Sequence, residues 1–515
     1  LFPYTTLFRS RDIAPEGFLL EITPRGVEIR ARSAAGAFYG FGALTRLVEA
    51  NGEGPLPCLS IEDWPDTQTR GFMLDISRCK VPTLETLETL IGQLAALRIN
   101  TLQLYVEHSF QFKGHECAWA DTSALSPDDI SKIEQLCTRH FITLVPNLNS
   151  LGHMERFLRH PPYKHLAESP DGFTHPLTGK FIRFGSTLKP DETSLDFVQS
   201  LYDDYLPHFA AAEFNAGMDE PWELGQGASK ERCEREGKHK VYTDYLLALH
   251  TRAKKHNKRM QFWADILLES PEQAARLPRD IMPILWGYEA GHPFDEQAKI
   301  LSQSGLEFLI APGTSAWLTF SGRWDNARAN IERAAATAHA HGAGLLLTSW
   351  GDWGNHHPWP VFYAPLALFA ALAWNAEQIP DDKKIARVID AVFFDNTPGL
   401  GEQILALGLV EKDFPKIHNR AQLHKAALAD KVELKKQAEA LPPSLCAQAT
   451  TTLAKIEKQL IHLSQNKTLH LAAEELLWGT RMNRLALKRL TAERANRPDP
   501  TLYNDLRTLI GTFEN

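Results

Sequence analysis

The sequence predicts an α/β fold in which eight short strands alternate with amphipathic helices. Three observations predict it: apolar runs recur, helix-like segments lie between them, and this rhythm stops near residue 380. The runs span residues 72–77, 101–106, 142–147, 213–218, 260–265, 281–286, 306–311 and 344–350, and helical stretches include 84–98, 127–139, 194–208, 240–256 and 325–341. Parallel strands that are buried on both faces read as continuous apolar runs. Eight β/α units of this kind fit a TIM (β/α)8 barrel, with a doubly wound open sheet as the alternative.

The segments on either side of the predicted barrel differ from it in pattern. Residues 11–64 contain an alternating segment around a Pro-Arg-Gly turn, which predicts a hairpin, followed by a helical segment. We interpret them as the remnant of a truncated N-terminal α+β domain. The barrel then takes residues 65–378. Residues 379–515 are rich in Ala, Leu, Lys and Glu, with apolar residues at helical spacing, and predict a C-terminal helical domain.

The chain begins with an unusual segment. Residues 1–10, LFPYTTLFRS, resemble the translation of a common sequencing adapter, and there is no initiator Met. We therefore expect residues 1–10 to be an assembly artefact and the natural N-terminus to be missing. For that reason the sequence leaves the cellular compartment open.

Composition excludes several classes of function. The chain has 515 residues, of which 43% are hydrophobic and 23% charged, so a largely disordered chain is excluded. Its net charge of −8 gives no basic footprint for nucleic acid. The longest apolar stretch, near 362–374, contains Pro365 and is too short to span a bilayer. His356 and His357 lack a third ligand at suitable spacing, so we expect no metal site, and no cofactor motif is found.

Candidate site residues follow from the barrel geometry, because active sites of TIM barrels form at the C-terminal ends of the strands. Carboxylates, one His, one Arg and many aromatic residues meet there. The candidates are Arg70, Glu107, His153, Asp219, Glu220, Trp263, Trp286, Tyr288, Trp317, Trp350 and Asp352. Aromatic faces stack on sugar rings, while carboxylates and Arg bond hydroxyls. The predicted mouth is therefore typical of a carbohydrate site.

Asp219 and Glu220 form the most informative pair. They follow an apolar run at the end of a predicted strand, and Pro221 comes next. Adjacent residues of a strand point to opposite sides, so both side chains reach one site only if the strand ends and the chain turns there. Two close carboxylates also separate each other's pKa values, which keeps one of them protonated as an acid.

The order of motifs resembles glycoside hydrolase family 20, the β-N-acetylhexosaminidases. GAFYGFGALTRL, then RGFMLDISR, then GMDE follow the order found in that family. GHMERF and TSWGDWGNHHPW are similar to the branch of bacterial exo-β-N-acetylglucosaminidases. The resemblance covers roughly residues 18–378. It implies an exo-acting, retaining hydrolase of terminal β-GlcNAc or β-GalNAc, in which the 2-acetamido oxygen of the substrate attacks the anomeric carbon and forms an oxazolinium intermediate.

The resemblance also implies roles for the candidate residues. Asp219 would orient the acetamido group and stabilise its developing charge, and Glu220 would act as the general acid and then the general base. Arg70 would bind the O3 and O4 hydroxyls, Asp352 would bind O4 or O6, and Glu107 and His153 would form a network with Glu220. Trp263, Trp286 and Trp350 would form the walls of the acetamido pocket. Tyr288 would bond the acetamido oxygen, and Trp317 would form part of the pocket or of the +1 site.

Two other readings stay open at this point. One is a retaining glycosidase with a protein nucleophile, in which Asp265 or Asp352 would lie about 5–5.5 Å from the acid. The other is a non-catalytic glycan-binding protein, because a fold does not fix a function. The expected partners are glycans carrying β-N-acetylhexosamine, with no nucleic acid and no membrane span, and a homodimer is suggested only by analogy with the family.

Overall fold

The computed structural model describes residues 6–8, 13–176, 178–497, 499 and 501–514. Its strands, in chain order, are β1 (Thr6–Phe8), β2 (Phe18–Thr23), β3 (Gly26–Ala31), β4 (Leu59–Asp63), β5 (Arg70–Asp75), β6 (Thr101–Val106), β7 (Thr143–Leu148), β8 (Phe173–Thr174), β9 (Phe181–Ile182), β10 (Glu213–Asn215), β11 (Arg259–Trp263), β12 (Met282–Trp286), β13 (Leu309–Ala311) and β14 (Gly344–Ser349). Eight of these strands form the centre of the molecule.

The central sheet is a closed parallel barrel in the order β10-β11-β12-β13-β14-β5-β6-β7. β14 pairs with β5 over five residues, and β10 closes the ring against β7 through Asn215 and Asn147. The predicted TIM barrel is therefore confirmed, and the open sheet is excluded. β5 is buried along its whole length, as expected for a strand covered on both faces.

A small mixed sheet of four strands precedes the barrel, in the order β1-β3-β2-β4. β2 and β3 form the predicted hairpin. The helix Ala34–Asn51 packs on this sheet and begins at Ser33, whose side chain caps the Gly36 N–H. β1 pairs in parallel with β3. The remaining residues of the segment 1–10 lie outside the described residues, and its interpretation as an artefact stays a prediction.

The α-helices surround the barrel and fill the C-terminal region. They are Ala34–Asn51, Leu84–Ala96, Glu116–Trp119, Pro127–Arg139, Glu155–Leu158, Glu192–Tyr205, Lys230–Glu236, Lys238–Lys254, Asp265–Glu269, Phe294–Ser304, Trp324–His341, Tyr363–Trp374, Asp382–Phe393, Leu400–Gly408, Gln422–Leu428, Lys431–Ala440, Pro443–Leu463, His470–Arg494 and Leu502–Glu514. Short 3-10 helices span Pro161–Leu166, Leu206–His208, Pro271–Arg276 and Trp359–Phe362. None of the helices in the described part of the chain combines the length and the apolar character needed to cross a bilayer.

The C-terminal helices are packed onto the barrel and share its hydrophobic core. The helix His470–Arg494 lies against the loop after β13, where Asn483 donates to the Ser321 hydroxyl at 3.1 Å. Gly479 allows this close approach, because a Cβ there would lie 2.4 Å from the Phe320 carbonyl oxygen. The helical region is thus fixed near the C-terminal ends of the strands.

The interior of the barrel contains a layer of four buried amide side chains. Gln103 donates to Gln261 at 2.9 Å and accepts from Asn147 and Asn215, each at 3.0 Å. These residues come from β6, β11, β7 and β10. They lie inside the barrel on strands that lead into the polar mouth.

Candidate active site

An inner pocket opens at the C-terminal ends of the barrel strands. It is lined by Arg78, His153, Asp219, Glu220, Trp263, Trp286, Tyr288, Trp350, Asp352 and Asn419. The structure therefore brings together eight of the predicted residues. Glu107 lines the outer cleft beside this pocket.

The Asp219–Glu220 pair lies in a turn and not in a strand. β10 ends at Asn215, and the backbone then takes positive φ angles at Gly217 (70°), Met218 (81°) and Glu220 (48°). This sequence of left-handed residues breaks the alternation of the strand, so both carboxylates reach the same pocket. Left-handed conformations at non-glycine residues cost free energy and are concentrated at functional sites.

The turn is held in place by Asp265, which follows β11. The Glu220 N–H donates to Asp265 Oδ2 at 3.2 Å, and Trp286 Nε1 approaches Oδ1 at 3.5 Å. Burial and the neighbouring Asp219 raise the pKa of Asp265 well above its usual range. Asp265 thus fixes the backbone of the Asp219–Glu220 turn through this hydrogen bond.

His153 contacts both carboxylates. Its Nε2 lies 3.3 Å from Asp219 Oδ2 and 3.7 Å from Glu220 Oε2. Gly152 brings it there, because a Cβ at that position would lie 2.4 Å from the Asp219 carbonyl oxygen. Burial disfavours the cation, but the Asp219 carboxylate outweighs it and raises the pKa of His153 to about 10. His153 is therefore a cation at neutral pH.

Glu220 is tuned for proton transfer. Burial raises its pKa to about 7, the cationic His153 opposes this shift, and the nearby Asp219 and Asp352 carboxylates add to it. A carboxyl group of this kind is still largely protonated just below neutral pH. It can therefore donate a proton and take one back near pH 7.

Asp219 lines the pocket and has one unpaired carboxylate oxygen. Its Oδ2 faces His153, whereas Oδ1 is shielded from solvent and has no hydrogen-bond partner within the described part of the protein. Buried acceptors are nearly always paired, so an unpaired one needs an explanation. A ligand N–H that entered the pocket would provide the missing donor.

Arg78, which the sequence analysis did not select, is the arginine of the pocket. Its guanidinium bonds Asp75 at 2.8 Å and Glu107 at 2.9 Å, and it lies over the Tyr105 and Trp350 rings at 4.5 and 5.3 Å from their centroids. Burial disfavours the charge, yet the surrounding carboxylates raise the pKa of Arg78 well above its usual range. It is a fixed cation at the wall of the site.

The prediction that Arg70 binds sugar is wrong. Arg70 begins β5 and lies at the opposite, N-terminal end of the barrel, completely buried. Its guanidinium donates to Glu16, to the Tyr39 hydroxyl and to the Arg98 carbonyl oxygen. The contacts with Glu16 and Tyr39 join the barrel to the preceding small domain. The strand direction could have decided between the two arginines, because Arg70 precedes β5 and Arg78 follows it.

Glu107 is buried behind Arg78 and is strongly bonded. Its Oε1 accepts from the Tyr105 hydroxyl at 2.9 Å, and its N–H donates to Ser77 Oγ at 2.8 Å. Burial raises the pKa of Glu107 to about 7, although the Arg78 guanidinium opposes this shift. Through Arg78 and His153 it belongs to the same charge network as Glu220.

Aromatic rings form the walls and the floor of the inner pocket. The ring centroids of Trp263 and Trp350 lie 5.8 Å apart, and Tyr288 stacks on Trp286 with their ring centroids 5.2 Å apart. Trp350 Nε1 donates to the Tyr288 hydroxyl at 2.8 Å. Trp317 packs edge-on behind Tyr288 and is 1% exposed. It supports the wall from the second layer, and the prediction that it forms part of the pocket or of the +1 site is wrong.

The outer cleft extends from the pocket to the surface. Asp352 lines both spaces, and Phe184, Trp222 and Trp353 line the outer one. Trp353 is 71% exposed and has a left-handed backbone (φ 62°). The cleft therefore joins the polar and aromatic pocket to a surface that carries exposed aromatic side chains.

Two groups of residues are of the types that bind metal ions, but their members contact other side chains of the protein. Glu107, His153 and Glu155 place ligand atoms within 4.8 Å of one another, but Glu107 already bonds Arg78, and His153 faces Asp219. His356 Nδ1 forms a hydrogen bond of 3.0 Å with His424 Nε2. His356 therefore links the loop after β14 to the helical region.

Comparisons with known proteins decide the family. The model of the glycosyl hydrolase family 20 catalytic domain matches residues 68–343, more than half of the chain, and the model of domain 2 of the same family matches residues 4–64. This chain belongs to glycosyl hydrolase family 20. The predicted resemblance is thereby confirmed.

Curated and solved relatives agree with this assignment. The chain is 29% identical over 229 residues to hexosaminidase D of Bos taurus (42% of this chain, 63% of that protein) and 26% identical over 282 residues to a beta-hexosaminidase of Porphyromonas gingivalis (49% and 36%). It thus spans less than two thirds of the length of either relative. The structure of Flavobacterium johnsoniae chitobiase shares the fold, with a TM-score of 0.61 and 18% identity over 98% of this chain and 85% of that one.

Proposed function

We propose that this family 20 protein is an exo-acting, retaining β-N-acetylhexosaminidase that removes terminal β-GlcNAc or β-GalNAc with the help of the substrate's own acetamido group. The observation that carries the proposal is the turn at Asp219–Glu220, which directs two adjacent carboxylates into one aromatic pocket. The names of the relatives, both hexosaminidases, support the same activity.

Glu220 supplies the proton chemistry in this proposal. With its pKa near 7 it protonates the glycosidic oxygen as the bond breaks, and then accepts a proton from the attacking water. Burial is the main cause of the raised pKa, so the Glu220 carboxyl group stays protonated in the pocket near neutral pH.

Asp219 supplies the orientation of the acetamido group. Its unpaired Oδ1 fits the acetamido N–H, and its negative charge stabilises the positive charge that develops when the acetamido oxygen attacks the anomeric carbon. His153 holds the other oxygen and so fixes the rotation of the carboxylate. Because the nucleophile is part of the substrate, correct orientation supplies much of the rate.

The remaining residues recognise the terminal sugar. In the proposal the rings of Trp263, Trp286 and Trp350, which line the pocket, wall the space for the acetamido methyl and the sugar face, and the Tyr288 hydroxyl bonds the acetamido oxygen. Arg78 takes the role first expected of Arg70, as the donor to sugar hydroxyls. Asp352 lies at the junction of pocket and cleft, where it can accept from a hydroxyl.

A protein nucleophile remains the alternative mechanism. Asp265 accepts from the Glu220 N–H and lies against Trp286 Nε1, which argues for a supporting role. Asp352 is the carboxylate of the pocket that this alternative would require. A homodimer also stays a prediction, and light scattering of the purified protein tests it.

The first experiment compares hydrolysis of aryl β-GlcNAc, aryl β-GalNAc and aryl β-glucoside by the same preparation. Cleavage of the two acetamido sugars without the glucoside supports the proposal, and their ratio gives the preference at C4. Equal cleavage of the glucoside would favour a protein nucleophile. Absence of cleavage by a folded sample would favour a glycan-binding protein.

A second experiment separates the two mechanisms directly. Successive fluorination of the acetamido methyl group weakens the nucleophilic oxygen and leaves the leaving group unchanged. The proposal expects kcat/KM to fall steeply with each fluorine. A flat series would contradict substrate assistance, even if the acetamido sugars are the preferred substrates.

A further inference from the structure

A turn from the C-terminal helical region reaches the inner pocket. The turn joins the helices Leu400–Gly408 and Gln422–Leu428, and Ile417 and Arg420 bridge its base. Its tip is Asn419, the one lining residue of the pocket that comes from beyond the barrel, among the residues that the structure describes. The pocket is therefore completed by a segment that follows the last barrel strand by about 70 residues.

The turn is fastened to two barrel loops. The Asn419 N–H donates to Glu289 Oε1 at 2.7 Å, and Glu289 is itself held by the Arg323 guanidinium through bonds of 3.0 and 3.2 Å. The Ala421 N–H donates to the Leu318 carbonyl oxygen at 3.1 Å. These bonds attach the turn to the loops after β12 and β13, so Asn419 keeps a fixed position.

The backbone of Asn419 is left-handed, with φ 53°. Asn tolerates this conformation better than most residues, so the side chain is presented without a large backbone cost. Its Oδ1 is shielded from solvent and lacks a hydrogen-bond partner among the described residues. An unpaired buried acceptor is costly, and a ligand hydroxyl that donates to it would remove that cost.

Asn419 also occupies a sector of the pocket that the barrel itself leaves aromatic. Arg78 and Asp352 follow the adjacent strands β5 and β14, and the Asp219–Glu220 turn follows β10. The strands between them, β11 and β12, supply Trp263, Trp286 and Tyr288 to the pocket. On that side of the pocket Asn419 adds an amide to the Tyr288 hydroxyl and the indole N–H groups, so a sugar hydroxyl there would find a carbonyl-type acceptor in Asn419.

We infer that Asn419 is a specificity-determining residue that forms a hydrogen bond with one hydroxyl of the terminal sugar. The inference rests on the proposed function and adds to it a recognition contact from outside the barrel. It makes the helical region part of the active site as well as a support for the fold.

The test uses Asn419→Gly, which removes the side chain and is compatible with the left-handed backbone. His418→Ala is the matched control, because His418 belongs to the same turn, its side chain is 80% exposed, and its contact with Glu289, at 3.9 Å, is a weak surface ion pair. Both variants and the parent protein are assayed on aryl β-GlcNAc and on its 3-deoxy, 4-deoxy and 6-deoxy analogues, and their melting temperatures are recorded.

The expected loss of kcat/KM for Asn419→Gly on aryl β-GlcNAc is about threefold to tenfold, as for one neutral hydrogen bond. On one deoxy analogue the variant and the parent should agree within twofold, because the substrate hydroxyl that pairs with Asn419 is already missing. His418→Ala should match the parent on all four substrates.

Two results would overturn the inference. In the first, Asn419→Gly has the same kcat/KM as the parent on aryl β-GlcNAc. In the second, its kcat/KM falls by the same factor on every analogue, which would mean a structural effect only. Failure of the proposed function is recognised separately, because the parent protein would then leave aryl β-GlcNAc and aryl β-GalNAc uncleaved.

Discussion

Replacement of His153 by Gln tests the electrostatic link between this residue and the acid Glu220. Gln keeps an N–H donor for Asp219 and removes the positive charge that lies 3.7 Å from Glu220 Oε2. That charge lowers the pKa of Glu220, which burial raises to about 7. Without it, Glu220 should stay protonated to a higher pH, and the alkaline limb of kcat/KM should move upward.

The size of this shift follows from the distance. Two unit charges 3.7 Å apart interact by about 1.1 kcal/mol at the dielectric constant of water and by about 4.5 kcal/mol at an effective value of 20. One pKa unit corresponds to about 1.4 kcal/mol, so the limb should move up by about 0.8 pH units or more. Burial lowers the pKa of His153, but the Asp219 carboxylate outweighs burial and raises it to about 10. His153 is therefore cationic at the pH values at which Glu220 titrates.

The assay is kcat/KM for aryl β-GlcNAc between pH 5 and 9, at a temperature at which all variants are folded. His165→Gln is the control, since His165 is exposed and lines neither the pocket nor the outer cleft. A lower activity with an unchanged alkaline limb would refute the electrostatic role and leave His153 as a positioning residue for Asp219. A downward shift would mean that the limb belongs to another group.

Three further predictions concern the roles of single residues. Glu220→Gln should lower kcat/KM on a substrate with a poor leaving group by about 10²–10⁴-fold, and by much less on a dinitrophenyl glycoside, whose leaving group needs little protonation; equal losses on both would speak against Glu220 as the acid. Arg78→Lys should lower kcat/KM at least tenfold, because Lys cannot bond Asp75 and Glu107 together and still stack on Tyr105, and steady-state kinetics with unchanged values would contradict its place in the site. Arg70→Met should lower the free energy of unfolding by about 2 kcal/mol or more, since it removes the cation paired with Glu16 and the buried donor to backbone carbonyls, while KM stays unchanged; a raised KM in an otherwise stable variant would restore a role in binding.

The barrel was predictable because its signal is repeated eight times. The observed strands lie within about three residues of the apolar runs, and even the helix Pro127–Arg139 has the predicted bounds. The position of Asp219–Glu220 followed from the rule that sites form where strands end. The sequence could not show that β10 stops as early as Asn215, because the apolar pattern continues through Met218 while the backbone has already turned.

The errors have distinct physical origins. Arg70 and Arg78 flank the same strand, and the choice between them required attention to the end of the strand at which each lies. Trp317 follows a strand end, as a pocket residue would, but its loop folds the ring behind Tyr288. Asn419 could not be found at all, since it has no local motif and reaches the pocket through long-range packing of the helical region.

The amide layer inside the barrel has a consequence for folding. A closed barrel requires a fixed stagger between its strands, and a layer of aliphatic side chains fills space equally well in several staggers. Gln103 instead has a defined donor partner in Gln261 and a defined acceptor role toward Asn147 and Asn215. A shift of one strand by a single residue would turn its amide out of the barrel and leave its partners unpaired. The layer therefore penalises misaligned barrels during assembly, and it sets the height at which β7 and β10 deliver their loops to the mouth.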